Sequence, residues 1–296
     1  MRNKSVFEKY NIEHLSASSI NQFVHDPSYW VFKVMGRNGL VEFDNSVGIS
    51  AHMGTAVHRA LQKNLDGQVN DNPAPFELRD LLKYEWVDNK FKANDCGFEE
   101  NQIALAERNS GRMWYNAFEY YFSRSLTEPL AIERKIEAFL GDVPIPFIGY
   151  LDFEYKDMVR DLKTGGRKVR TPTNDHQRQA AIYREVTNKT VFFDYVTPTE
   201  SSPHQAIKMD VYEPYHNVPY IDHVLQIAKQ METYLSFSND IFEVFAQKIP
   251  YFDHMYLWSE KNKKAASQLL GGTTQTKGEL NDCTKRTQSK KARVGF

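Results

Sequence analysis

Asp152, Asp161 and Lys163 lie in two neighbouring segments of the chain, Gly149-Tyr-Leu-Asp-Phe and Arg160-Asp-Leu-Lys-Thr-Gly. Two carboxylates and an ammonium are the minimum set that can hold a divalent cation against a phosphodiester and activate a water molecule beside it. An aspartate and a lysine on a strand also commonly form a solvated ion pair. The pattern alone therefore leaves both a catalytic and an ordinary surface interpretation open.

The residues around these three alternate in a way that predicts two strands joined by the turn Lys156-Asp-Met. Asp161 and Lys163 are two positions apart on the second strand, so their side chains leave the same face. Leu162 between them points to the opposite face, toward a core. We expect the hairpin to bring the three charged side chains into one patch.

Two further segments strengthen the catalytic interpretation. Gly54-Thr-Ala-Val-His58 predicts the first turns of a helix that carries a histidine near its start. Gln179 and Tyr183 are four residues apart in a second predicted helix and therefore share a face. Each segment alone is commonly structural or surface. The ordered set Gly-Thr-x-x-His, Gly-x-x-Asp, Asp-x-Lys and Gln-x-x-x-Tyr favours an active site.

This ordered set resembles the PD-(D/E)XK nuclease superfamily, and within it the branch of RecB-like, phage-type and CRISPR-associated exonucleases. The segment 15–23, followed by Asp26-Pro27, is similar to the N-terminal helix signature of that branch. Glu133 falls where many members carry a glutamate on the strand before the metal-binding hairpin. The resemblance covers about residues 15 to 185.

The resemblance implies an α/β (α+β) fold with a mixed central sheet flanked by helices and a helical insertion. It also implies one or two Mg²⁺ or Mn²⁺ ions. The implied ligands are the side chains of His58, Asp152 and Asp161 and the carbonyl of Leu162.

The same resemblance assigns roles to the remaining motif residues. Lys163 would orient or activate the attacking water, and Gln179 and Tyr183 would shape the site and its DNA contacts. Glu133 would contact the metal or its ligands, or else pair with a base such as Arg134. Hydrolysis by this set needs no covalent intermediate.

Iron–sulfur members of this branch carry a cysteine immediately before the position of Pro27 and three more near the C-terminus. Here the first position is Asp26, and the only cysteines are Cys96 and Cys283. Two thiols cannot supply the four ligands of such a cluster. The sequence therefore predicts no iron–sulfur cluster.

Charge is nearly balanced, with 37 Lys plus Arg against 38 Asp plus Glu, so phosphate is not attracted to the chain as a whole. Basic residues are instead clustered in two places. The first cluster borders the hairpin and is expected to contact DNA; it comprises Arg160, Lys163, Arg167, Lys168 and Arg170. The second, in the tail, either binds DNA or is merely solvated; it comprises Lys285, Arg286, Lys290, Lys291 and Arg293.

Composition favours an intracellular enzyme. Two cysteines give no disulfide framework, the N-terminus lacks the apolar segment of a signal peptide, and no apolar run is long enough to span a membrane. We expect a cytoplasmic protein of a bacterium or a phage-infected cell. No Walker-type phosphate loop is present, so a helicase activity would have to come from a partner protein.

The pattern along the chain predicts one nuclease domain over residues 1–260. It contains a helical insertion at about 59–127, a catalytic core at about 128–215 and a C-terminal helix at about 219–247. Residues 261–296 are expected to be a flexible basic tail. Strands are predicted at 130–140, 146–155, 159–163, 190–197 and 205–212. A helix is predicted at 174–186, between the third and fourth strands. An apolar stripe at 106–122 is either core, which the spacing favours, or a base-stacking platform.

Three functions follow from these observations. The leading hypothesis is an end-dependent exonuclease used in DNA recombination, repair or phage DNA processing. A non-catalytic DNA-binding or assembly subunit that keeps the fold is the second. A sequence-specific endonuclease on the same fold is the third.

Overall fold

Five strands form one mixed sheet in a computed structural model, which describes residues 5–70, 75–123, 126, 128–201, 203–254 and 256–271. The strands lie side by side in chain order: β1 (Ala131–Ala138), β2 (Phe147–Glu154), β3 (Met158–Thr164), β4 (Thr190–Val196) and β5 (His204–Lys208). Only β3 and β4 are parallel neighbours, and the other three pairs are antiparallel. The crossover from β3 to β4 contains one helix, as parallel neighbours require.

The helices precede, interrupt and follow these strands. Before the sheet come α1 (Val6–Lys9), α2 (Ala17–His25), α3 (Pro27–Arg37), α4 (Ile49–Asn70), α5 (Pro75–Asp95) and α6 (Glu100–Ser123). The crossover helix is α7 (Asn174–Thr187), and after the sheet come α8 (Tyr220–Leu235), α9 (Ile241–Ala246) and α10 (Glu260–Leu269). The predicted class, a mixed sheet flanked by helices, and the predicted β-β-β-α-β order are both confirmed.

The two sides of the sheet pack against different helices. Leu162 of β3 is completely buried in a cluster formed with α4 and α6, to which Met113 and Ala117 contribute. A second cluster lies on the opposite side of the sheet. Val159 of β3 and Phe193 of β4 pack there with residues of α2, α3, α7 and α8. The predicted apolar stripe at 106–122 is therefore largely core. Since successive side chains of a strand alternate between faces, Asp161 and Lys163 face the α7 side.

Asp26 joins the N-terminal helices to a distant part of the chain. It is fully buried and caps α3, accepting hydrogen bonds from the backbone N–H groups of Ser28 and Tyr29 at 3.0 and 3.2 Å. Its other carboxylate oxygen accepts from the Tyr251 backbone N–H at 2.9 Å and from Trp258 Nε1 at 2.7 Å. Four donors thus satisfy a carboxylate that would otherwise be costly to bury.

Three helix boundaries differ from the sequence predictions. Helix α4 begins at Ile49, which places His58 in the third turn instead of near the start. The single helix expected at 219–247 is two helices, because α8 ends at Leu235 and Asp240 caps a new one. The tail expected to be flexible from 261 begins with α10, capped by Ser259. The remaining tail from 272, with its basic cluster, lies outside the described residues.

Within the described ranges, no helix has both the length and the apolar character that crossing a membrane requires.

Candidate active site

Strands β2 and β3 diverge at the predicted hairpin, and the divergence creates the site. They pair at Phe153–Arg160 and Glu154–Val159. In the next position of that register Asp152 lies opposite Asp161. There the backbone N–H of Leu162 donates to Asp152 Oδ2 at 2.7 Å. The carboxylate thereby takes the place of a strand carbonyl, and Asp152 is fixed directly to the main chain of β3.

Asp161, Lys163 and Gln179 form a closed set of contacts between β3 and α7. Lys163 Nζ donates to Gln179 Oε1 at 3.0 Å, and Gln179 Nε2 donates to Asp161 Oδ1 at 2.9 Å. Lys163 Nζ also lies 2.6 Å from Asp161 Oδ2, but that buried oxygen has no partner with hydrogen-bond geometry. We take the short distance as a charge–charge contact that leaves the oxygen without a directed donor.

Tyr183 fixes α7 to β2. Its hydroxyl donates to the main-chain oxygen of Tyr150 at 2.6 Å and accepts from Gln179 Nε2 at 2.8 Å. A Cβ atom at Gly149 would lie 2.9 Å from Tyr183 Cε1, closer than real Cβ contacts. Glycine at position 149 is therefore what lets the tyrosine ring lie against the strand and lets Gln179 reach Asp161.

His58 reaches the site because α4 packs closely against the end of β3. A Cβ atom at Gly54 would lie 2.8 Å from Thr164 Oγ1, so only glycine allows this approach. Four residues further along the helix, His58 Nδ1 lies 3.5 Å from Asp152 Oδ2. The Gly-Thr-x-x-His spacing thus combines a close helix contact with a histidine beside the first carboxylate.

The buried position of the site shifts two pKa values in opposite directions. Burial raises the pKa of Asp152 well above its usual value, and the negative charge of Asp161 raises it further. Burial lowers the pKa of His58 to about 4, so its imidazole is neutral near pH 7. The contact between His58 and Asp152 is therefore not an ion pair at that pH.

These donors fit a divalent metal ion in their chemistry. Carboxylate and main-chain oxygens suit hard cations, and a neutral imidazole additionally favours Mn²⁺. The buried Asp161 Oδ2, which lacks a hydrogen-bond donor, is the oxygen best prepared to bind such an ion. In this conformation no three His, Cys, Asp or Glu side chains of the described chain converge as a chelating group. Positive charge beside Asp161 comes instead from Lys163.

Glu133 lies on β1 next to Asp152, since its neighbours Ile132 and Arg134 pair with Phe153 and Leu151. It is exposed and has a φ of +51°, an uncommon backbone conformation for a residue with a side chain. Its negative charge adds to the rise in the pKa of Asp152.

The side-chain partner of Glu133 is Gln62, not the neighbouring Arg134. Gln62 Nε2 donates to Glu133 Oε1, whereas Arg134 binds Glu154. The sequence analysis missed Gln62, although it lies one helical turn after His58 at a spacing that shares a face.

The structure corrects the expectation that Arg160 contacts DNA. Arg160 is only 4% exposed, and its guanidinium binds the buried Asp194 with hydrogen bonds of 2.8 and 2.5 Å. It leaves β3 on the face opposite Asp161, as strand alternation requires. Arg167, Lys168 and Arg170 are exposed in the segment between β3 and α7.

Among the other histidines, His176 lies close enough to Lys163 and Asp161 to feel their charges. It lies three residues before Gln179 on α7, and its Nδ1 lies 2.8 Å from the Tyr195 hydroxyl. Burial, followed by the charge of Lys163, lowers its pKa to about 4. His52 and His204 lie elsewhere, next to Cys96 and Asp194 respectively.

Comparison with curated proteins finds no match. Among solved structures, the "Putative exonuclease" of Eubacterium rectale aligns with a TM-score of 0.44 and 14% identity, over 84% of this chain and 87% of its own. The protein SSO0001 aligns with a TM-score of 0.29 and 12% identity, over 73% of this chain and 90% of its own. The family model of the PD-(D/E)XK nuclease superfamily matches residues 14–285, which include every site residue described above. The chain therefore belongs to the PD-(D/E)XK nuclease superfamily.

Proposed function

We propose that this protein is a metal-dependent DNA nuclease that degrades DNA from an end. The observation that carries the proposal is the set of two buried carboxylates, a lysine and a glutamine at the divergence of β2 and β3. The similarity of the ordered motifs to RecB-like exonucleases supports end dependence. We place the activity in recombination, repair or phage DNA processing in the cytoplasm of a bacterium or an infected cell.

The residues of the site have separable roles in this proposal. Asp152, Asp161, His58 and the carbonyl of Leu162 would hold the metal, which when bound neutralises phosphate charge and makes a coordinated water a nucleophile at neutral pH. The Lys163 ammonium has three donors, of which one binds Gln179 Oε1, while Asp161 is held beside it by charge alone. A remaining donor can hold the attacking water or a phosphate oxygen.

We also propose that residues 1–260 act as one nuclease domain with a helical insertion at about 59–127. Support comes from the packing of α4 and α6 on the same sheet that carries Asp161, and from the bonds between Asp26 and residues 251 and 258.

A non-catalytic DNA-binding or assembly subunit is less well supported. Asp152 and Asp161 are 8% and 2% exposed. Burying two carboxylates side by side costs free energy of folding, and a subunit without catalytic activity would have no need of them. A sequence-specific endonuclease would use the same site chemistry, so only the substrate separates it from the exonuclease.

The test is cleavage of DNA labelled separately at each 5′ and 3′ end. Linear single strands, linear duplexes and closed circles are incubated with Mg²⁺, Mn²⁺ or EDTA. We expect wild type to degrade linear DNA only with metal, and Lys163→Ala to lose about 10²-fold or more in rate. Lys135→Ala is the matched control, because Lys135 is an exposed strand lysine paired with Glu137 at 2.7 Å.

Full activity of Lys163→Ala with normal folding would overturn the proposed mechanism. Cleavage of closed circles as fast as linear DNA would favour the endonuclease. Tight DNA binding without cleavage under either metal would favour the non-catalytic subunit.

A further inference from the structure

A cavity of about 750 Å³ lies beside the start of α4, apart from the carboxylates of the candidate active site. It is lined by residues of α2, α3 and α4, by Phe98, and by residues of the segments 43–48 and 256–259. Among the described residues that line it, none is a candidate metal ligand. Ala51, which lines it, precedes His58 by seven residues, or about 10 Å along the helix.

Lys33 brings a positive charge to this cavity that no carboxylate balances. Its ammonium donates to Gln22 Oε1 at 3.1 Å, and both residues line the cavity. Burial lowers the pKa of Lys33, and the like charge of nearby Arg37 lowers it further. Among the described residues, no aspartate or glutamate forms an ion pair with Lys33 to offset these effects. An anion bound in the cavity would supply the missing negative charge.

The carboxylate that lines the same cavity, Asp44, is held by other groups. Its Oδ1 accepts from the Ser46 backbone N–H at 3.0 Å, and its Oδ2 accepts from the Ser46 hydroxyl at 2.9 Å. Burial raises the pKa of Asp44, but hydrogen bonds from Ser259 and Ser46 and the charge of Lys261 outweigh it, and the net pKa is lowered. Asp44 is therefore stabilised as an anion without the help of Lys33.

The rest of the lining suits a ligand larger than an inorganic anion. The volume lies in the range of about 300–1,000 Å³ typical of sites for small organic ligands. Aromatic residues line the cavity together with amide and hydroxyl groups; they include Tyr29, Phe43, Phe98, Tyr256, Asn45 and Ser50. A nucleotide matches this lining, because it joins a phosphate for an ammonium to a planar base for aromatic residues and a sugar for polar groups.

We propose that this cavity is a second binding site, which takes a free 5′-mononucleotide with its phosphate at Lys33. The choice of ligand rests on the proposed function, because a nuclease that degrades DNA from an end releases mononucleotides. The product is thus held beside the helix that carries His58 and away from the carboxylates, whose negative charge repels it.

The test measures binding of dAMP by isothermal titration calorimetry in EDTA, so that neither cleavage nor a metal ion at the carboxylates contributes. Deoxyadenosine, inorganic phosphate and a single-stranded oligonucleotide are titrated in the same way. Lys33→Gln removes the charge and keeps a donor for Gln22. Arg37→Gln is the matched control, because Arg37 is an exposed cation one turn later on α3 and does not line the cavity.

A second measurement uses the wild-type protein alone, so that its result does not depend on the folding of a variant. Acetylation of Lys33 by acetic anhydride is followed by mass spectrometry with and without dAMP, and with and without the oligonucleotide. A nucleotide whose phosphate contacts the ammonium should slow this reaction.

We expect Arg37→Gln to bind dAMP as wild type does, and Lys33→Gln to bind it at least roughly tenfold more weakly, since a hydrogen bond to a charged group is lost. Deoxyadenosine and inorganic phosphate should both bind wild type more weakly than dAMP, and dAMP should protect Lys33 from acetylation. Equal binding of dAMP by wild type and Lys33→Gln, equal binding of phosphate and dAMP, or unprotected Lys33 would overturn the inference.

Protection of Lys33 by the oligonucleotide but not by dAMP would also overturn it, because the site would then belong to the DNA chain. None of these measurements requires cleavage. Normal cleavage without dAMP binding would therefore refute this inference alone, whereas dAMP binding through Lys33 in a protein that cleaves no DNA would support the cavity site and refute the proposed function.

Discussion

Asp152 accepts the backbone N–H of Leu162 at 2.7 Å, so a candidate metal ligand also completes the pairing of the two strands that carry the site. A side chain held by the main chain of a neighbouring strand has little freedom to change rotamer. This contact therefore gives Asp152 a second, structural role that can be separated from its chemical one by substitution.

Asp152→Asn should separate the two roles. Burial raises the pKa of the carboxylate, which means that the folded protein disfavours its charge, and asparagine removes that charge while keeping an acceptor for Leu162 N–H. We expect stability equal to or above wild type in urea unfolding at pH 7, with cleavage lost. Asp152→Ala should lose cleavage and also about 1–3 kcal/mol, because a buried N–H is left unpaired. Equal stability of the two variants would contradict the structural role.

Gly54→Ala should displace α4 from the end of β3. A new Cβ would lie 2.8 Å from Thr164 Oγ1, and such overpacking typically costs about 1–3 kcal/mol. We expect lower stability in urea and slower cleavage, because His58 moves away from Asp152. The double variant Gly54→Ala/Thr164→Ala should recover both properties, since the clashing atom is gone.

Gly111→Ala is the matched control for that experiment. Gly111 also lies inside a long helix, but a Cβ there would meet its nearest neighbour, Leu82 Cδ2, at an ordinary 3.9 Å. It should stabilise the protein by up to about 1 kcal/mol through helix propensity alone. A failure of the double variant to recover would show that the helix contact is not the cause.

The exposed segment after β3 should carry part of the DNA affinity. Each of Arg167→Ala, Lys168→Ala and Arg170→Ala removes one positive charge from the exposed segment between β3 and α7. We expect each to flatten the plot of log affinity for single-stranded DNA against log salt by about 0.7. Lys156→Ala, at the opposite end of the hairpin, should leave the slope unchanged. Unaltered slopes in all three variants would place the phosphate contacts elsewhere.

The buried pair of Arg160 and Asp194 should make stability depend on acid. Burial raises the pKa of Asp194, but hydrogen bonds from His204 and Arg160 outweigh it, and the net pKa is lowered. A lowered folded-state pKa contributes stability above the unfolded value of about 3.9, and this contribution is lost as pH falls through the folded value. We expect urea unfolding to show a steep loss below about pH 4, and a smaller one in Asp194→Asn.

Removing the arginine from the same pair tests its structural importance. Arg160→Ala should destabilise the protein by about 3–5 kcal/mol at pH 7, because Asp194 is fully buried and would lose its cation. The variant should show no selective loss of DNA affinity once folding is restored by lower temperature. A selective loss of DNA binding by Arg160→Ala, at normal stability, would instead show that Arg160 contacts DNA.

Local periodicity predicted much of the sheet and of the site. The two-residue period places Asp161 and Lys163 on one face, and the four-residue spacing places Gln179 with Tyr183; both are found in the structure. Periodicity reports which face a residue occupies, however, and not what covers that face. Arg160 was assigned to DNA for this reason, since its partner lies 34 residues away on β4.

The two glycines of the motifs illustrate the same limit. Gly54 and Gly149 were recognised as parts of ordered motifs, but their function is set by atoms of Thr164 and Tyr183, which belong to other elements. Gln62 was missed because its partner, Glu133, lies 71 residues away. Such contacts depend on tertiary packing, which one sequence without homologues does not reveal.

The four hydrogen bonds that Asp26 accepts come from donors that are synthesised at very different times. Two of its donors are local, but the other two come from residues 225 and 232 positions later. At a synthesis rate of about 5–20 residues per second, the residues that carry these two donors are added roughly 10–45 s after Asp26. Helices α2 and α3 emerge early with an acidic group that cannot yet be buried favourably. The hydrogen bonding of the Asp26 carboxylate is therefore completed only after Tyr251 and Trp258 have been added to the chain.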